Sequence, residues 1–156
     1  MRPEHLASPA ALNHFLRAFE GGTLPKSEWT HGAHVAAAAS YLFNSDFAAV
    51  LPLMRTRIRA YNVASGVANT ETSGYHETLT HFWLILVAHL LHREQPESKL
   101  AAARKAVAAF GEERTLHARY YSGDVVKDTA ARQSWRSPDL LPLPQFEAQP
   151  RTQPRI

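Results

Sequence analysis

The sequence predicts an all-α protein, a single bundle of about five main helices, on three observations. Alanine fills 25 of 156 positions, and alanine is the strongest helix former and a poor strand former. Apolar residues recur three and four apart in successive stretches, the spacing of one buried helix face. No stretch alternates apolar and polar residues strongly enough to read as a strand. The length suits one domain with one sizeable core, expected over residues 1–143, with a proline-rich tail over 144–156.

Each helix carries its own signals. Ser8-Pro9 reads as a cap followed by a first-turn proline, with Leu12, Phe15, Leu16 and Phe19 behind it and Gly21-Gly22 as the stop. Pro25 and Ser27 announce a second helix that runs to Asn44, with Val35, Ala38 and Leu42 as its inward stripe. Ser45 is the expected cap of a third, in which Phe47, Val50, Leu51, Met54 and Ile58 share a face and Pro52 predicts a kink. Gly66 to Gly74 is a polar loop. A fourth helix is expected from about Tyr75 to His92, and a fifth from Glu97 to Phe110. Shorter helical pieces follow near 112–121 and 127–135. Five of the ten prolines lie from Pro138 onward, so the end should be extended, with Leu140, Leu141 and Leu143 packed on the body and the last residues loose.

Composition narrows the function. The absence of cysteine excludes disulfides, thiolate metal sites and thiol catalysis, and leaves the cytoplasm as the expected compartment. The longest strongly apolar stretch, Phe82 to Leu91, is interrupted by His89 and too short for a bilayer, and the first residues lack the apolar run of a signal peptide. No membrane association is expected. A net charge of +3 is a mild excess that favours solubility. Its one local group, Arg55, Arg57 and Arg59, is not interleaved with aromatics, so nucleic acid is not an expected partner. A small-molecule ligand is expected, and a homo-oligomer stays open.

The nine histidines are the compositional oddity. His31 and His34 are three apart on the second helix, neighbours on its surface. His31 shares a face with Val35, Ala38 and Leu42, and His34 lies about 60° round, still on the core side. Their plain role is to cap the helix start or bond backbone carbonyls; their sharper role is to converge on one metal ion. His76 opens the fourth helix on the face of Thr80 and Trp83. Up-down topology runs the second and fourth helices parallel, so the three histidines are expected at one end of the bundle. Glu77 either offsets the helix dipole or serves as a ligand or general base beside metal-bound water. Thr78 and Thr80 can orient such a site or simply bond back within the helix. His81, His89 and His92 are expected on the surface or in a helix groove, His5 and His14 look incidental, and His117 is expected near a pocket through its neighbours Arg119, Tyr120 and Tyr121.

His31-x-x-His34, then Tyr75-His76-Glu77-Thr78-Leu79-Thr80 and Phe82-Trp83, with Tyr120-Tyr121-Ser122, Trp135 and Pro138-Asp139-Leu140 near the end, resembles a widespread bacterial family of small, mostly uncharacterised helical proteins. The resemblance covers most of residues 12–143. It implies an all-helical fold and His31, His34, His76 and Glu77 as the functional set, and it names no reaction.

The expected function is therefore a metal-dependent enzyme acting on a small polar molecule. One divalent ion, Zn or Fe, is held by His31, His34 and His76, with Glu77 as base or as a group that orients the ligands from behind. Trp29, Tyr61, Asn62, Asn69, Tyr75 and Thr80 would line the pocket. Two alternatives stay open: a non-catalytic module holding a small molecule or haem, and a structural protein whose histidines are satisfied core groups.

Overall fold

A side chain at the start of every α-helix takes up a backbone N–H that the helix itself leaves unpaired. In a computed structural model, which describes residues 1–145, the six helices are α1 (Pro9–Glu20), α2 (His31–Asn44), α3 (Phe47–Ala64), α4 (Glu77–Glu94), α5 (Lys99–Phe110) and α6 (Thr129–Gln133). Their caps are Ser8, Thr30, Asp46, His76, Ser98 and Asp128, each accepting from the N–H three residues on. A cap of this kind is worth about 1 kcal/mol. No strand occurs among the described residues, and the fold is the all-α bundle the sequence predicts.

Several boundaries differ from the expectation. The segment after Pro25 forms only a 3₁₀ turn, Lys26–Glu28, and α2 starts after Thr30. Asp46, not Ser45, caps α3, because the carboxylate reaches the Ala49 N–H at 2.9 Å. Residues 112–121 hold a 3₁₀ turn, Leu116–Arg119, and no α-helix. Leu140 and Leu141 were expected on the body but are about half exposed. Leu143 alone of the three packs, against the group formed by Phe82, Leu86, Tyr121 and Val125. The proline-rich tail beyond residue 145 lies outside the described residues.

α2 runs through the middle of the bundle, in contact with α3, α4 and α5. Gly32, Ala33 and every residue from Val35 to Ser40 are buried, so the helix is covered on nearly all sides rather than along one stripe. Small side chains make that enclosure feasible: Ala102, Ala103 and Ala106 of α5 are fully buried on the facing side. Ser40, the polar residue in this run, gives its hydroxyl to the Ala36 carbonyl at 2.7 Å. The main core joins Leu12, Phe15, Leu16 and Phe19 of α1 to Val50, Met54, Ile58 and Tyr61 of α3 and to the alanines of α2.

The 65–76 connection is built by Asn69. Its side-chain oxygen accepts from Asn62 Nδ2 at 2.9 Å and from the Tyr75 N–H at 3.0 Å, and its amide donates to the Arg59 carbonyl at 3.0 Å. Gly74 turns the chain into α4 at φ +77°, where a Cβ would meet the Asn69 side chain at 2.6 Å. Only glycine meets both demands. Arg132 of α6 then donates to the Gly74 carbonyl at 2.7 Å. Together these contacts fix where Tyr75, His76 and Glu77 stand.

Candidate functional site

His31, His34 and His76, together with His117, line one cavity of about 660 Å³. Its body is apolar and aromatic: Trp29, Ala38, Met54, Ile58, Leu79, Trp83 and Leu84. Asn62, Tyr75, Thr80, Arg114 and Thr115 supply polar groups. A smaller recess of about 210 Å³, bordered by Asn13, Arg17, Glu20, Tyr41 and Lys99, is different in kind. Its groups are largely spent on one another, Tyr41 and Arg57 on Glu20 and Lys99 on Asn13.

The histidines differ in what their nitrogens have left to offer. His31 Nε2 donates to the Phe110 carbonyl at 3.0 Å, and His34 Nδ1 donates to the Thr30 carbonyl at 2.8 Å. A carbonyl only accepts, so each ring carries its proton on that nitrogen and keeps a lone pair on the other. His76 is committed at both: Nε2 donates to the Val125 carbonyl at 2.8 Å, while Nδ1 caps α4 by accepting the Leu79 N–H at 3.2 Å.

Burial, the largest cause, holds all four imidazoles of the wall below the ordinary histidine pKa. For His34, packed against the Trp29 ring at 3.9 Å between centroids, it pushes the value down to about 4. Backbone carbonyls pull the other way and are outweighed. At His31 the charge of Arg114 adds to the lowering. The His31 ring also meets the Trp83 indole edge-on at 4.5 Å. At neutral pH these rings are uncharged.

Glu77 is buried and not on the cavity wall. Arg55 of α3 holds it by two bonds, Nε at 3.0 Å and an η nitrogen at 2.5 Å. The Tyr75 hydroxyl donates to the same carboxylate at 2.5 Å. Burial pushes its pKa up, but the bonds from Arg55 and Tyr75 prevail and leave it below the usual carboxylate value. Glu77 thus reaches the cavity only through Tyr75, which it orients.

Of the six expected pocket residues, Trp29, Asn62, Tyr75 and Thr80 line the cavity. Tyr61 stands behind the wall, its hydroxyl on the Leu24 carbonyl at 2.8 Å, and Asn69 organises the adjoining loop. Thr78 pins the segment after α6 to α4, donating to the Ser134 carbonyl and accepting from the Arg136 N–H, both at 2.9 Å. His81 is wedged between the rings of Phe47 and Trp135. His117, which the sequence placed near a pocket, is on the wall, whereas Arg114 and Thr115 were not singled out, because the helix expected near 112–121 is only a 3₁₀ turn over Leu116–Arg119 and its face could not be read.

Among the described residues, no three histidine, aspartate or glutamate side chains are grouped to hold a metal ion. His31 and His34 retain the donors such an ion needs, and His76 would have to release its helix cap to join them. Buried polar atoms without hydrogen-bond partners include Trp29 Nε1 and His117 Nδ1, both on cavity-wall residues. The chain matches no protein-family model, no curated protein and no solved structure. No helix among the described residues is long and apolar enough to cross a membrane.

Proposed function

We propose that the protein is an enzyme that binds a small, mainly apolar molecule in this cavity and acts on it through the uncharged imidazoles of His31 and His34. One observation carries the reading: on the cavity wall, two rings one helical turn apart each give their N–H to a backbone carbonyl and keep a lone pair on the other nitrogen. The cavity volume falls in the range of small-molecule sites, about 300–1,000 Å³. Buried unpaired polar atoms on its wall are a cost to stability, and such costs gather where function needs them. The depressed pKa keeps each ring uncharged at neutral pH, with a lone pair free to accept a hydrogen bond or to bind a ligand's electrophilic centre.

The carbonyl-anchored N–H also favours a second reading, in which His31 and His34 hold a divalent ion. Ligating histidines characteristically fix their tautomer in this way. Zinc or iron(II) would suit two imidazoles with further positions left for water or substrate, and would supply Lewis acidity there. His76 and Glu77 then support the site without ligating, through the cap of α4 and through Tyr75.

Two measurements test these readings. Ligand-observed NMR against a set of small aromatic fragments should show binding to the wild type and its loss in Ala38→Leu, which fills the cavity from α2 without touching a histidine. Binding unchanged by Ala38→Leu would contradict the cavity assignment. Elemental analysis of untagged protein decides the metal: stoichiometric zinc or iron lost in His34→Ala supports the ion, and metal-free protein that binds and turns over a ligand leaves proton transfer alone.

A further inference from the structure

Resting on the cavity as a ligand site, we infer that its occupant is an organic anion, an apolar body carrying a single carboxylate, with Arg114 as the residue that selects the charge. Among the described residues lining the cavity, Arg114 is the sole Lys, Arg, Asp or Glu. Five arginines elsewhere are held in place, Arg55, Arg57 and Arg136 by carboxylates and Arg104 and Arg132 by backbone carbonyls. Among the described residues the Arg114 side chain has no hydrogen bond or ion pair. Its guanidinium is nevertheless close enough to lower the proton affinity of His31.

Position sets how a ligand would lie. Arg114, Thr115 and Val126 are the exposed members of the wall, and Met54, Ile58, Leu84 and Ala38 are buried. The cation therefore stands at the mouth and the apolar surface inside. An anion placed deep would face the lone pairs of His31 and His34 and lose hydration with no cation beside it. At the mouth, the planar fork of an arginine matches a carboxylate with two parallel bonds, and the Thr115 hydroxyl can add a third donor. One guanidinium balances one charge, so a monoanionic carboxylate fits better than a dianionic phosphate. Trp29 and Trp83 flank the body of the ligand.

The test compares three probes of one shape by titration calorimetry: 3-phenylpropionate, 3-phenylpropanamide and 3-phenylpropylamine. Wild-type protein should bind the acid about tenfold or more tightly than the amide, and the amine least. Arg114→Gln, at an exposed position, should bind acid and amide alike. Equal binding of acid and amide by the wild type, or a preference that survives Arg114→Gln, overturns the charge selection and leaves the cavity reading standing. No binding of any probe by the wild type overturns both.

Discussion

The Tyr75 hydroxyl and the Glu77 carboxylate are joined by a 2.5 Å hydrogen bond, two residues apart at the entrance to α4. Arg55 grips the same carboxylate from α3. A residue that shares the sequence run of His76 thus serves a neighbouring tyrosine on the cavity wall. Glu77→Gln removes the charge and leaves the partly buried Arg55 without its counter-ion. It should cost about 1.5–3 kcal/mol in urea unfolding, and Tyr75→Phe about 0.5–1.5 kcal/mol. A double-mutant cycle with Arg55→Met should show strong coupling. Additive losses would mean that the three groups do not act as a unit.

Acid should destabilise the protein earlier than carboxylate titration explains. The unfolded chain protonates its histidines near the ordinary value of about 6.5, while His31, His34, His76 and His117 take up protons only at lower pH when folded. The unfolded state then binds more protons, so stability is full above pH 6.5 and falls as the pH drops, down to about 4 for His34. Glu77 adds its own loss below 4.5, as the solution falls through its lowered pKa. Urea midpoints measured from pH 8 to 4 should decline across this range, and His34→Gln should flatten the slope. A flat profile between pH 6.5 and 5 would contradict the neutral imidazoles.

His76 separates a capping role from a ligand role. His76→Ala removes both the acceptor for the Leu79 N–H and the donor to the Val125 carbonyl, and should cost about 1–3 kcal/mol. His76→Asn, whose side chain can still cap, should recover part of that loss. If Asn recovers none of the stability, the cap is not what the ring supplies.

Gly74→Ala places a Cβ at φ +77° against the Asn69 side chain. A loss of about 1–3 kcal/mol is expected. The amide N–H of Tyr75, bonded to Asn69 Oδ1, should lose its hydrogen-exchange protection with it. Protection retained at Tyr75 would show that the loop has another anchor.

The helices were legible mainly by apolar rhythm, as in Leu12, Phe15, Leu16 and Phe19 behind the Ser8 cap, whereas the caps of α2 and α3 fell at Thr30 and Asp46 rather than where the sequence suggested. α2 misled on one point: a run of alanines has no contrast between faces, so the sequence showed one inward stripe where the helix is enclosed. The gathering of His31, His34 and His76 on one cavity followed from parallel helices that start at the same end. What each nitrogen bonds did not. The Phe110, Thr30 and Val125 carbonyls that fix the three tautomers belong to the backbone, which leaves no mark in the residue letters. Nor did the sequence show that Glu77 would meet Arg55, 22 positions away on another helix. His117 was legible through its polar and aromatic neighbours, but Arg114 was not, because the helix expected near 112–121 forms only a 3₁₀ turn and carries Arg114 onto the wall outside any helical register.

The most direct test of the account is the protonation state of the imidazoles themselves. Long-range ¹H–¹⁵N correlation of the histidine rings at pH 7 reports which nitrogen carries the proton. His31 and His76 should be neutral with the proton on Nε2, and His34 neutral with the proton on Nδ1, titrating near 4. A His34 ring protonated on Nε2, or one that titrates at or above 6.5, would contradict the claim that the cavity presents two lone pairs to its ligand.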